Sequence, residues 1–123
     1  MREIADADLA GLDDDRAFDR VITGHFYGHL PPDERHAYLA EARRLAGELI
    51  VIDSAWRPGI EPEQWQERVL NDGSRHRVHK RYVSGQRLAD ELGGQTLLDG
   101  TWFSAAQVRW PRSQIITRPS RAV

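Results

Sequence analysis

The sequence predicts an α/β fold built on a parallel βαβ unit and closed by an antiparallel hairpin. Three observations carry that prediction. Two short apolar runs rich in β-branched residues, "FDRVITG" (18–24) and "ELIVIDS" (48–54), read as strands. The segment between them, "PPDERHAYLAEARRLAG" (31–47), reads as one amphipathic helix. Near the C-terminus, Asp99-Gly100 separates two further strand-like runs, the short-range signal of a hairpin.

Each element has a local cause. In the first run Val21 and Ile22 are adjacent and bounded by turn signals, which predicts a strand buried on both faces. The helix carries Tyr38, Leu39, Ala42, Leu45 and Ala46 as one apolar stripe. Pro32, Asp33 and Glu34 suit its first turn, where proline loses no hydrogen bond and acids complement the dipole. Arg43 and Arg44 suit its last turn, and Gly47 suits the stop. Leu49 to Ile52 form the core of a second buried strand. A strand–helix–strand crossover of this length makes the two strands parallel. Their polar exits, 25–29 and 53–56, then share the carboxyl edge of the sheet, where open α/β sheets bind ligands.

Further on, "EPEQWQERVLNDG" (61–73) reads as a helix with Trp65, Val69 and Leu70 on one side and Asn71-Asp72-Gly73 as its stop. "SRHRVHKRYVS" (74–84) alternates weakly and is strongly basic. "GQRLADELGG" (85–94) is a short helix closed by Gly93-Gly94, and "QTLLDGTWFSAAQVRW" (95–110) is the hairpin. "REIA" (2–5) could add a strand. Residues 1–110 form one domain and 111–123, rich in Pro, Arg and Ser, a basic flexible tail.

Composition narrows the function classes. At 123 residues the chain suits one domain, and 40% hydrophobic with 29% charged residues is the balance of a soluble globular protein. No apolar run approaches the ~20 residues that span a bilayer. The acidic start, "MREIADADLAGLDDD", has no signal-peptide pattern. The absence of cysteine excludes disulfides, thiolate metal sites and cysteine nucleophiles, and suits the cytoplasm. The net charge of −2 conceals a split: residues 1–61 carry 13 acids and 7 bases, residues 62–123 carry 6 acids and 10 bases. Two solvated faces account for this; an anionic ligand or association through complementary faces is the sharper alternative.

The ordered wording "IADADL … AFDRVITGHFYGHLPPDERHAYLAEARRLAGELIVIDS" resembles the second half of a class I S-adenosylmethionine-dependent methyltransferase. The likeness rests on an Asp-Ala pair after a strand, then "FDRV", "HL", an "EARRL" helix and "GELIVID". "RYVSGQRLADELGG … WFSAAQVRW" resembles that family's last helix and closing hairpin. The resemblance implies a partial Rossmann-like sheet, S-adenosylmethionine as cofactor and a small-molecule methyl acceptor. One part of the pattern is missing. The family's glycine-rich turn and the acidic residue that grips the ribose lie upstream of the Asp-Ala pair, and no G-x-G occurs in this sequence. The expected fold therefore lacks the N-terminal glycine-rich strand-turn-helix, which counts against cofactor binding by this chain alone. A truncated gene product, a natural remnant and one half of a split enzyme all fit.

The resemblance also assigns candidate residues. Asp6 and Ala7 match the pair that meets adenine, the carboxylate accepting from the amine and the next N–H donating to the ring; a local turn, or Asp8 in that register, is the alternative. Thr23, Gly24 and His25 lie where the strand end faces cofactor and substrate. His25 is the candidate for substrate contact or general base, since imidazole titrates near neutrality. Tyr27 and His29 line the following turn, with His29 read as a packed histidine that orients the loop. Asp53 either bonds a substrate group or caps backbone N–H groups, and Trp56 roofs the pocket. Arg75, Arg77, Lys80, Arg81 and Arg87 form a basic stretch. Within it Arg77 and Arg81 are candidates for an anionic group of the substrate, against the blander reading of a solvated strap. Nucleic acid is the least favoured partner, because the overall charge is not basic and only Tyr82 interleaves. His25 and His29 are four apart but leave a strand and meet Pro31-Pro32, so no metal site is expected.

A sheet without its first strands would expose a hydrophobic strand edge and an apolar face. A homo-oligomer or a partner half is therefore expected. The leading function is a methyltransferase-family domain, inactive or weakly active alone. The alternative is a non-catalytic interaction module, or a split-enzyme half, acting through another chain.

Overall fold

Local sequence signals place most elements of the structure, a computed structural model that describes residues 18–111. Asp6, Ala7, the "REIA" segment and the C-terminal tail from 112 lie outside the described residues. A four-stranded sheet has the order β1-β2-β6-β5. β1 (Val21–Gly24) and β2 (Glu48–Ser54) run parallel, with Val21 opposite Leu49 and Gly24 opposite Ile52. The helix α1 (Pro32–Leu45) joins them, with a short 3-10 turn at Tyr27–His29 before it. β6 (Phe103–Arg109) is antiparallel to β2 and to β5 (Gln95–Asp99). The second helix, α2 (Gly85–Leu92), begins at Ser84, whose hydroxyl accepts from the Arg87 N–H. It ends at Gly93, whose φ of 76 is the left-handed conformation that favours glycine.

Two expectations change. The 61–73 segment is a strand rather than a helix: β3 (Glu63–Val69) pairs antiparallel with β4 (Arg75–Arg81). Asn71-Asp72-Gly73 is the turn between them. The Asp72 carboxylate accepts from the Ser74 N–H at 2.8 Å and its hydroxyl at 2.6 Å, while Gly73 sits at φ 85. Trp65 and Val69 are four apart, which suits a helix face, but a strand also puts them on one face, here opposite His79 and Arg75. The pairing partner decided between the two periods.

The second change concerns burial. β1 alternates: Val21 and Thr23 are buried, whereas Ile22 is 57% exposed. In β2 Leu49, Val51 and Asp53 are buried and Ile50, Ile52 and Ser54 only half-buried. The core explains this. Val21, Leu49, Val51, Ala106 and Val108 pack with Tyr38, Ala42 and Leu45 of α1 and with Leu88, Ala89 and Leu92 of α2. Both helices thus cover one face of the sheet. The other face shows Ile22, Ile50, Ile52, Phe103 and Leu98, and among the described residues no helix covers it.

The β3–β4 hairpin is inserted between β2 and α2. It is anchored where Val83 N–H donates to the Ser54 carbonyl at 3.2 Å and Trp56 N–H to the Val83 carbonyl at 3.3 Å. Among the described residues no helix is long and apolar enough to cross a membrane.

Candidate functional site

The parallel register brings the exits of β1 and β2 together, as the strand–helix–strand order requires. His25 N–H donates to the Ile52 carbonyl at 2.9 Å, so His25 leaves β1 beside Asp53. The chain then divides into groups turned inward and groups left at the surface.

Asp53 is turned inward and is fully buried. Its carboxylate accepts from the Gly28 N–H at 2.6 Å and the Ser54 N–H at 2.8 Å, and pairs with the Lys80 ammonium at 3.0 Å. Three donors occupy the two oxygens, and the group ties three elements together: the 3-10 turn, β2 and β4. Gly28 is required by this approach, because a Cβ there would lie 2.9 Å from the Arg81 carbonyl and 3.0 Å from both Asp53 oxygens. His29 belongs to the same assembly, its Nδ1 2.8 Å from the His79 carbonyl oxygen.

A second, partly buried cluster centres on Glu91. Both guanidinium nitrogens Nη1 and Nη2 of Arg81 donate to its carboxylate, the latter at 2.8 Å, and the Tyr27 hydroxyl donates at 3.2 Å. Arg35 and Arg87 approach at 3.8 and 3.4 Å. Burial works against a charged Glu91, but Arg81, Arg35 and the Tyr27 hydroxyl outweigh it and hold the carboxyl below its ordinary value. Burial, reinforced by the charge of Glu91, pushes the Tyr27 hydroxyl up to about 12.

The predicted site residues therefore separate. Tyr27, Asp53 and Arg81 are buried and occupied by protein partners, and His29 is half-buried and bonded. Thr23 is also buried, facing the helix side with its hydroxyl near Tyr38. Gly24, His25, Trp56 and Arg77 lie at the surface. Arg77 is not at the sheet edge; its guanidinium lies 5.8 Å from the Trp65 ring centre on the hairpin. Of the other cations in that basic stretch, Arg75 pairs with Glu67 at 2.5 Å and Lys80 with Asp53. Among the described residues no group of three or more His, Cys, Asp or Glu is placed to hold a metal.

Sequence reading missed three residues at this edge. The rings of His25 and Phe103 meet edge-on with centroids 5.4 Å apart. Trp102, the residue before Phe103, has the Arg57 guanidinium 4.2 Å over its ring, and its carbonyl accepts from the Ala55 N–H at 2.9 Å. The only signal for Trp102 and Phe103 was their place just after the Asp99-Gly100 turn, and for Arg57 its place just past the end of β2. Once β6 is antiparallel to β2, that turn delivers its residues to the carboxyl end of β2.

No family model matches the sequence, and no curated protein matches it. Solved structures do. Over 85% of this chain and 53% of its own, DhpI in complex with SAH is similar at 24% identity and a TM-score of 0.64. The DhpI–SAM–HEP complex is similar at 25% identity and 0.63, over 83% and 55%. The glycopeptide N-methyltransferase MtfA complexed with S-adenosyl-L-methionine is similar at 15% identity and 0.55, over 85% and 58%. The chain has a methyltransferase-like fold, the partial Rossmann-like sheet of the class I S-adenosylmethionine-dependent enzymes. It spans about half the length of the solved structures it matches.

Proposed function

We propose that this chain acts in S-adenosylmethionine-dependent methyl transfer to a small molecule, forming the substrate-side wall of the site at the carboxyl edge of β1 and β2. The observation that supports this most is the likeness, over 85% of the chain, to a protein crystallised with SAH. Gly24 and His25 are the residues left open at that edge. A Cβ added at Gly24 meets nothing within 4 Å, so a ligand can lie across the strand end. The bound cofactor would supply an electrophilic methyl group, and holding the acceptor in line is then the main task of the protein. In this reading His25 contacts the acceptor or takes its proton, and Trp56 borders the pocket. Gly24, with the backbone at Thr23, faces the cofactor, and Asp6 and Ala7 meet its adenine. Asp53, Tyr27, His29 and Arg81 serve as positioning residues: Asp53 bonds Gly28 of the 3-10 turn and Lys80 of the hairpin, His29 bonds the His79 carbonyl, and Tyr27 and Arg81 both bond Glu91 of α2. Arg77, remote on the hairpin, remains available for an acidic group that reaches over the edge.

A second reading is an interaction module, active through another chain or a second copy. It is favoured by the sheet face bearing Ile22 and Leu98, 57% and 48% exposed, and by the outer edge of β1, which pairs with no strand among the described residues. Calorimetric titration with S-adenosylmethionine, run beside a measurement of mass in solution, separates the two. Saturable binding supports the methyltransferase reading for this chain. No binding by a monomer, dimer or larger species removes it for the isolated chain, and a dimer or larger species then favours the module.

A further inference from the structure

The carboxyl end of β1 holds a strained residue. Among the described residues His25 is the one non-glycine at positive φ, 58. A non-glycine residue there is uncommon, histidine being among the more tolerant, and such conformations persist where surrounding contacts hold them, often at binding sites. Here the Ile52 carbonyl holds its N–H at 2.9 Å, and the exposed imidazole is turned onto the edge of Phe103.

Large apolar side chains gather at the same corner without being buried. Trp102 is 63% exposed, Phe103 49% and Trp56 43%. Arg57 lies over one face of Trp102 and makes no ion pair among the described residues. Two acids lie equally near in sequence: Asp53 is buried and already satisfied by three donors, and Glu61 is exposed and forms no ion pair with Arg57. The corner thus offers aromatic faces, one unpaired guanidinium and one imidazole, with no free carboxylate contributed by Asp53.

We propose that this corner binds a planar aromatic molecule carrying an acidic group, either a carboxylate or an acidic ring hydroxyl. The ring stacks on Trp102 and Phe103, where offset and edge-on packing are both favourable. Arg57 donates charge-assisted hydrogen bonds to the anion while its own stacking keeps the fork oriented. His25 accepts a hydrogen bond from a ring hydroxyl, or takes its proton. An aliphatic acid forgoes the stacking, and an aromatic cation meets Arg57 as a like charge. As the methyl acceptor's class this deepens the function proposed above and rests on it. As a binding site it stands on the corner's own chemistry.

The test uses 4-hydroxybenzoate as probe, with cyclohexanecarboxylate and benzylamine as controls, in the full chain without cofactor. Binding is followed by tryptophan fluorescence and by amide NMR shifts. The expected result is saturable binding with shifts at Gly24, Arg57 and Phe103. Trp102→Ala and Arg57→Met should each weaken it by about tenfold, and both controls should bind at least about tenfold less tightly. Both variants alter exposed or surface side chains, and circular dichroism checks their fold. Absence of saturation, shifts confined elsewhere, or equal binding by the variants overturns the proposal. A parallel titration with S-adenosylmethionine keeps the two ideas apart. Probe binding without cofactor binding removes the methyltransferase reading and leaves the site; cofactor binding without probe binding does the reverse.

Discussion

Replacing Lys80 with Met removes one charge from a pair that has no water to fall back on. Lys80 is 5% exposed and Asp53 is 0% exposed, with Nζ and Oδ1 3.0 Å apart. Methionine keeps most of the packing of the lysine stem and deletes the ammonium. The Asp53 carboxylate then stays buried with two backbone donors, from Gly28 and Ser54. Breaking a buried pair from one side costs about 3–5 kcal/mol, because the remaining charge is uncompensated. With a urea slope of about 2 kcal/mol/M, the unfolding midpoint falls by about 2 M. Urea denaturation followed by circular dichroism reads this directly. The double variant Asp53→Asn with Lys80→Met removes both charges and keeps an acceptor for the Gly28 N–H. It should be more stable than the sum of the single changes by about 1–3 kcal/mol. If Lys80→Met costs less than about 1 kcal/mol, the carboxylate is solvated and the account of Asp53 as the buried tie between turn, strand and hairpin is refuted.

Three other outcomes follow from the same packing. Gly28→Ala places a methyl group against the Arg81 carbonyl and both Asp53 oxygens, and should destabilise by about 1–3 kcal/mol in thermal or urea unfolding. Glu91 has a folded value held below its unfolded one, chiefly by Arg81 against the opposing effect of burial. Its contribution is therefore complete above the ordinary carboxylate range and is lost as pH falls through the lowered value. Glu91→Gln should cost about 1.5–3 kcal/mol at pH 7 and flatten the acid limb of stability against pH; an unchanged acid limb would show that other groups govern it. Tyr27 has the opposite sign. Burial raises its hydroxyl to about 12, so the stability it provides is present below about 10 and lost as pH rises toward that value. An ultraviolet titration of the folded protein should show a late phenolate phase that Tyr27→Phe reduces, and no change on that substitution would contradict its burial.

How much of the site was legible differs from residue to residue. The placement of His25 and Asp53 at one edge follows from strand order alone, because any parallel βαβ unit aligns its strand exits. The commitment of Asp53 to Lys80 does not, since nothing local marks one lysine of a basic stretch as the partner of a carboxylate 27 residues away. Arg81 and Arg77 look equivalent in "RHRVHKR", yet they lie on the same strand face and meet quite different surroundings. Arg81 reaches Glu91 of α2 and is buried, and Arg77 lies over Trp65 in solvent.

The sequence by itself determined the elements whose signals are local. Helix α1 follows from its apolar stripe and the charges at its ends, β1 and β2 from β-branched runs, and the β5–β6 hairpin from Asp99-Gly100. These depend on residues within a turn or two of one another, so neighbours along the chain carry the information. Tertiary structure alone decided that 63–69 pairs as a strand, that both helices cover one sheet face, and that Phe103 and Trp102 meet His25 and Arg57. Those outcomes depend on which distant segment comes to lie alongside. A spacing of four suits a helix and, being even, also one face of a strand, and only the partner across the hairpin selects between them.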